Sequence, residues 1–163
     1  MSIENGRAYL AQRGLSDRIQ EFDVSSATVE LAAQALHCDG SRIAKTLAFL
    51  VADGAILVVM AGDAKVDNQA FKAAFGVKAK MLAGDEVERL VGHAIGGVCP
   101  FGIREGVPTY LDESLRRFDS VYPACGSANS AICLTIPELE QTVQQFAGWV
   151  DVGKGWREDS SSV

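Results

Sequence analysis

The sequence predicts an α/β domain of the α+β type, a single compact unit with a mixed, largely antiparallel sheet and flanking helices. Three observations carry this. Two apolar runs rich in strand formers lie on either side of an Asp53-Gly54 step, the signature of a β-hairpin. Stretches with helical apolar spacing are interspersed irregularly with strand candidates, unlike the regular alternation of a doubly wound sheet. No internal repeat, Pro-rich linker or charge block divides the 163 residues, so 1–156 read as one domain and 157–163 as a polar tail.

The elements follow in order. Val29, Ala32, Ala33 and Leu36 fall at i, i+3, i+4 and i+7 behind Thr28, which can cap a helix, and Asp39-Gly40 ends it. Ile43 to Val51 and Ala55 to Ala61 form the hairpin. Asp67 caps a second helix with Ala70, Phe71, Ala74 and Phe75 on its apolar face and Gly76 at its left-handed end. A third starts at Asp85, with Glu88 at capping-box spacing, Leu90 and Val91 following and Gly92 as the stop. Thr109 to Leu111, Val121 to Ala124 and Ile132 to Thr135 are short strands, and Asp112 caps the segment from Glu113 to Arg117. The last helix begins near Pro137 and Glu138, buries Leu139, Val143 and Phe146, and stops at Gly148.

Bulk properties narrow the functional classes. With 48% hydrophobic and 22% charged residues the chain matches an ordinary globular domain. A chain this long buries roughly 68 to 70% of its unfolded surface, so no disulfide or metal scaffold is required. Cys38, Cys99, Cys125 and Cys133 form no C-x-x-C pair, and their spacings with His37 and His93 match no common metal-ligand pattern. No secretory signal and no apolar run of membrane-spanning length are visible, so the expected compartment is the cytoplasm, with no membrane partner. A net charge of -6 and a pI near 4.9 argue against a protein that neutralises many phosphates, and DNA is not an expected partner. Contact with any nucleic acid should be local, since a patch can oppose the overall charge.

Four features could carry chemistry. In a strand from Ile43 to Val51, Lys45 shares a face with Ile43, Leu47, Phe49 and Val51, so a cation interrupts an apolar stripe. Either it snorkels to water near the strand start, or it is held in a cleft where its ammonium meets a phosphate, a ribose oxygen or an oxyanion. The loop Gly96-Gly97-Val98-Cys99-Pro100-Phe101-Gly102 is either a surface turn or a source of backbone donors to a developing oxyanion, its path fixed by the proline. Within it, Cys99 could be a nucleophile with His93 as base, although free cysteine is more often a small buried hydrophobe and no carboxylate or amide is placed beside His93. Gly126-Ser127-Ala128-Asn129 reads as a hairpin turn that a site could also use. Asp112, a cap, needs no catalytic role.

These features occur together in one order: RIAKTLAFLV, HAIGGVCPFG, PTYLDESL, YPACGSANSAICL. In that order the sequence resembles the YbaK and prolyl-tRNA-synthetase-associated editing family from about Thr28 to Phe146, and WVDVGKGW resembles the end of its stand-alone, prolyl-tRNA deacylase-like branch. The resemblance implies a sheet curled around one pocket and metal-independent, cofactor-free hydrolysis of a mischarged tRNA. The expected substrate is tRNA-Pro carrying Ala, Cys, Ser or Thr, with a synthetase or elongation factor as a further partner. It assigns Lys45 as the functional lysine, and Gly96, Gly97, Val98, Cys99 and Pro100 as the loop that binds the aminoacyl carbonyl and terminal ribose. His93, Phe101, Gly126, Ser127 and Asn129 are expected around the substrate. Relatives vary at the position of Cys99, which argues against a covalent mechanism, and the loop GGVCPFG differs from that of YbaK, which leaves amino-acid specificity open. Lys45 belongs near the terminal phosphate or ribose, because two ammonium groups in contact repel, with Arg42 and Lys80 as further cations at the tRNA end.

Overall fold

Ser2–Ala11 forms a first helix, α1, although its sequence shows no regular apolar stripe. Leu10 is its fully buried anchor. The computed structural model describes residues 2–52, 54–94 and 97–157. After α1 come β1 (Ile19–Glu21), α2 (Val29–Leu36), β2 (Ile43–Val51), β3 (Gly54–Ala61), β4 (Lys65–Val66), α3 (Asn68–Phe75) and α4 (Gly84–Val91). The second half contains β5 (Thr109–Asp112), a 3-10 helix (Glu113–Arg117), β6 (Ser120–Pro123), β7 (Ser130–Ile132), β8 (Leu134–Thr135), α5 (Ile136–Thr142), β9 (Phe146–Val150) and β10 (Gly153–Lys154).

Six strands form one curled sheet in the order β8-β6-β2-β3-β5-β9. Its spine is the β2-β3 hairpin, registered from Ala44 opposite Ala61 to Val51 opposite Gly54. The sheet is mixed, and within it the parallel ladders β2-β6, β3-β5 and β5-β9 accompany the antiparallel β2-β3 and β6-β8. Two small antiparallel pairs, β1-β7 and β4-β10, complete the strands, so antiparallel ladders lead over the described chain but not within the main sheet. The parallel ladders need crossovers, which α3, α4 and their loops supply between β3 and β5.

Local chemistry explains most boundaries. Thr28 Oγ1 accepts from Leu31 N at 3.1 Å to start α2, and Asp67 Oδ1 accepts from Gln69 N and Ala70 N at 3.0 and 3.1 Å to start α3. Left-handed Gly76 and Gly92 end α3 and α4. Two rings carry α3 onto the sheet, Phe71 through a contact at 4.7 Å to Phe49 of β2 and Phe75 through one at 4.9 Å to Tyr110 of β5.

Several boundaries differ from the sequence expectation. α2 closes on His37 in the left-handed region, so Asp39 instead starts a short 3-10 turn by accepting from Ser41 N. α4 begins at Gly84, where Ala83 N donates to Glu86 Oε1, and Asp85 lies in its first turn. The run from Ile132 to Thr135 divides at Cys133 because Ile132 pairs with β1 and Leu134 with β6. α5 stops at Thr142, well before Gly148, and Phe146 is 39% exposed at the start of β9. The side chain of Gln144 bonds both Ile103 N and Ile103 O, and that of Gln145 bonds Gly106 N, Arg104 O and Val107 O; these contacts draw the chain out of the helix. Of the polar tail, residues 158–163 lie outside the described residues.

Candidate active site

β2 is paired with β3 along its length but only in parts on its other side. Ile43 and Ala44 lie opposite Tyr122 and Pro123 of β6. Farther along, Leu50 N donates to Lys80 O at 2.9 Å and Leu82 N to Ala48 O at 3.0 Å. Between these attachments a cavity of about 340 Å³ opens against Lys45, Thr46 and Leu47. α2 supplies Val29 and Ala32 to its wall, the chain entering α4 supplies Met81 and Leu82, and Tyr122, Ala124 and Ser130 close the far side.

Lys45 is on that wall, half-buried, and is the one charged side chain among the described lining residues. Its Nζ donates to Gly62 O at 3.3 Å and to Ala64 O, which leaves a third N–H for a ligand. Burial pushes its pKa below the ordinary lysine value; the Asp63 carboxylate opposes this, Lys65 adds to it and Glu30 opposes it. Lys45 thus lines the cavity with its ammonium held on two main-chain carbonyls. Of the other expected cations, Arg42 Nη2 donates to Ser120 Oγ at 2.7 Å and its guanidinium lies over the Tyr122 ring, whereas Lys80 is exposed, next in sequence to the wall residue Met81.

The two loops singled out in the sequence meet. A Cβ on Gly97 would fall 2.7 Å from both Gly126 C and Ser127 N, so this close approach requires glycine. Val98 faces the cavity, and Gly96 lies outside the described residues. Pro100 is buried and its carbonyl accepts from Gln144 N at 2.9 Å. Ser127 Oγ donates to Ser130 Oγ at 2.8 Å, which connects this loop to the cavity wall, and Asn129 Nδ2 donates to Phe22 O at 3.0 Å.

His93 and the first loop's own Cys99 and Phe101 pack together, each with no exposed surface. His93 Nε2 lies 2.6 Å from Phe101 O; a carbonyl can only accept, so Nε2 carries the proton. The Cys99 thiol, 3.5 Å from that same nitrogen and from Phe101 O, therefore faces a donor and not a base. Burial pushes the thiol to about 12 and holds the imidazole below its ordinary value. These residues form a packed support for the loop, without the ionisable thiol that covalent catalysis needs. Asp112 is likewise structural, with Oδ1 accepting from Val152 N and Gly153 N and Oδ2 from Ser114 N.

A model of the aminoacyl-tRNA editing domain matches residues 24–142. The chain belongs to this family. YwhH, an uncharacterized protein of Bacillus subtilis (strain 168), is 48% identical to this editing domain over 157 residues, covering 96% of this chain and 99% of that protein. An Enterococcus faecalis (strain ATCC 700802 / V583) protein named "Putative Cys-tRNA(Pro)/Cys-tRNA(Cys) deacylase EbsC" is 31% identical over 124 residues, 74% of this chain and 75% of its own. The crystal structure of "a putative trans-editing enzyme for prolyl tRNA synthetase" superposes with a TM-score of 0.82 at 31% identity, covering 94% of this chain and 98% of that one. Within the editing domain, wall residues that sequence patterning leaves unmarked include Thr46, Met81, Tyr122 and Ser130. Their side chains have no distinctive spacing, and only the pairing of β2 brings them around one space.

Proposed function

We propose that this editing domain acts in trans, hydrolysing the ester of tRNA-Pro mischarged with a small amino acid such as Ala, Cys, Ser or Thr. The observation that carries the reading is a cavity of about 340 Å³ whose walls, among the described residues, are largely small and apolar and bear one cation, Lys45, in a chain of this family. Uncharged walls favour a small, uncharged amino-acid side chain. The cation suits the terminal phosphate or ribose, since an ammonium would repel the substrate's α-ammonium. Water attacks the ester carbonyl, assisted by the neighbouring ribose hydroxyl or amino-acid groups. The loop from Gly96 to Pro100 positions the carbonyl and ribose, with Gly126, Ser127 and Asn129 behind it. An aminoacyl ester already hydrolyses readily in water, so positioning and electrostatics suffice without metal or covalent intermediate.

The test is release of amino acid from tRNA-Pro charged with Ala, Cys, Ser or Thr, with Pro-tRNA-Pro as control. Cleavage of at least one mischarged species above its spontaneous rate, unaffected by EDTA and sparing Pro-tRNA-Pro, is the expected outcome. Failure across the panel refutes the reading and leaves a binding module on the same fold.

A further inference from the structure

The edge of β2 holds main-chain groups that the fold leaves unused. In an antiparallel pair, successive residues point their N–H and C=O groups alternately toward and away from the partner strand. Leu50 N and Ala48 O bond to Lys80 O and Leu82 N on the side away from β3, which fixes the phase. Ala44 has the same phase and lies opposite Pro123 of β6. Thr46 falls between them, its N–H and C=O directed into the gap where the cavity opens and without a partner among the described residues. Backbone groups left open in a largely apolar recess favour a ligand that completes them.

Among the described residues the cavity wall also carries no carboxylate. Lys45 is its only charged side chain among the described residues, so an α-ammonium entering here finds no acidic side chain. An aminoacyl ester carries an N–H donor and a carbonyl oxygen on either side of one Cα, as a single strand residue does.

Resting on the editing function above, we infer that the aminoacyl group pairs with Thr46 as a one-residue strand. The substrate's α-ammonium donates to Thr46 O, and Thr46 N–H donates to the ester carbonyl oxygen. When water adds, a bond forms between its oxygen and the carbonyl carbon, and the carbonyl oxygen takes up negative charge facing the Thr46 N–H. Collapse breaks the bond from that carbon to the ribose oxygen. One proton of the water ends on the ribose oxygen and the other is released as the amino acid's carboxyl ionises. Thr46 thereby fixes the amino acid through main-chain groups, and side-chain selection is left to the surrounding walls.

The test uses the full chain and two esters on the same tRNA: the best-cleaved amino acid of the panel above and its deamino counterpart, for example alanyl and propionyl. Each enzymatic rate is divided by the spontaneous rate of the same ester, which removes the activating effect of the ammonium itself. Loss of one charge-assisted hydrogen bond should lower kcat/KM for the deamino ester by about tenfold or more. Equal efficiency, with the aminoacyl ester still cleaved, overturns the inference and leaves the editing function standing. No cleavage of any panel ester removes the editing function and this inference with it. Thr46→Pro adds a second measurement, because it deletes an N–H that faces away from β3 and no β2-β3 ladder bond. In a Thr46→Pro protein that unfolds cooperatively near the wild-type temperature, kcat should fall by about tenfold or more, and undiminished turnover overturns the role of the N–H. Should Thr46→Pro not fold, the ester pair on the unaltered protein decides.

Discussion

Lys45 is placed by two opposing demands. Its stem continues an apolar stripe of β2, while its ammonium needs acceptors, which Gly62 O and Ala64 O provide at the cavity's edge. Because the role assigned to it requires a cation and not only a stem, Lys45→Met should preserve the fold and lower deacylation by at least about tenfold, or about 1.4 kcal/mol in barrier. Unchanged rates with a wild-type circular dichroism spectrum would remove Lys45 from the mechanism. Cys99 presents the reverse case. Its thiol is fully buried, pushed to about 12, and beside a protonated ring nitrogen, so it lacks both access and a base. Cys99→Ser should therefore retain most deacylation activity, and alkylation of the native protein should label half-buried Cys38 and Cys133 before Cys99. Complete loss of turnover in a folded Cys99→Ser protein would point back to a covalent route.

At the scale of elements, α1 acts as a brace behind the two loops of the site. A Cβ on Gly6 would come 2.1 Å from Cys125 O, and one on Gly102 would come 2.4 Å from Asn5 O. Both contacts are backbone on backbone, so no side chain can move aside. Gly→Ala inside a helix ordinarily stabilises by up to about 1 kcal/mol. Here the clash reverses that sign, and Gly6→Ala should lower the melting temperature and weaken deacylation together by displacing α1 from the loops. A stabilised Gly6→Ala protein would show that α1 does not brace them. This brace illustrates what sequence patterning conveys and what it does not. The hairpin, α2 and α3 are legible because cap, periodicity and stop agree within each segment, and Thr28, Asp67 and Gly76 do in the structure what their residue types suggest. α1 is not legible, since among its described residues only Gly6 and Leu10 are buried, and the partial packing of Ile3 and Tyr9 adds no strong periodic stripe. The true end of α5 is also hidden, because it is set by Gln144 and Gln145 bonding a loop some forty residues earlier in the chain. For the site, residue types mark Lys45 and the two glycine loops as candidates, but the contact between the loops at Gly97 emerges only in the fold. Thr46 does not: its relevance comes from which neighbours β2 lacks, a property of the sheet and not of the residue.

For the whole molecule, the question is how a chain of net charge -6 handles a polyanion. An extended basic face would be needed to track an RNA backbone, and here Arg18, Arg116, Arg117 and Arg157 are each already paired with Glu138, Glu113, Asp63 and Asp151. Arg42, too, is taken up by Ser120 and Tyr122. Lys45 on the cavity wall and exposed Lys80, next in sequence to the wall residue Met81, are cations able to meet phosphate there. Binding confined to the acceptor end should then be weak, with a shallow salt dependence of about 0.7 to 0.9 in log affinity against log salt for each phosphate engaged. Recognition would come mainly from the aminoacyl ester and the terminal nucleotides, and selection among whole tRNAs would fall to a synthetase or elongation factor that hands over the substrate. A short aminoacylated acceptor-stem mimic should therefore be cleaved nearly as well as full-length tRNA at equal saturation. If the mimic is inert while the full tRNA is cleaved, and the slope corresponds to about six or more phosphates, the protein must grip the tRNA body through surfaces whose charge now gives no reason to expect it.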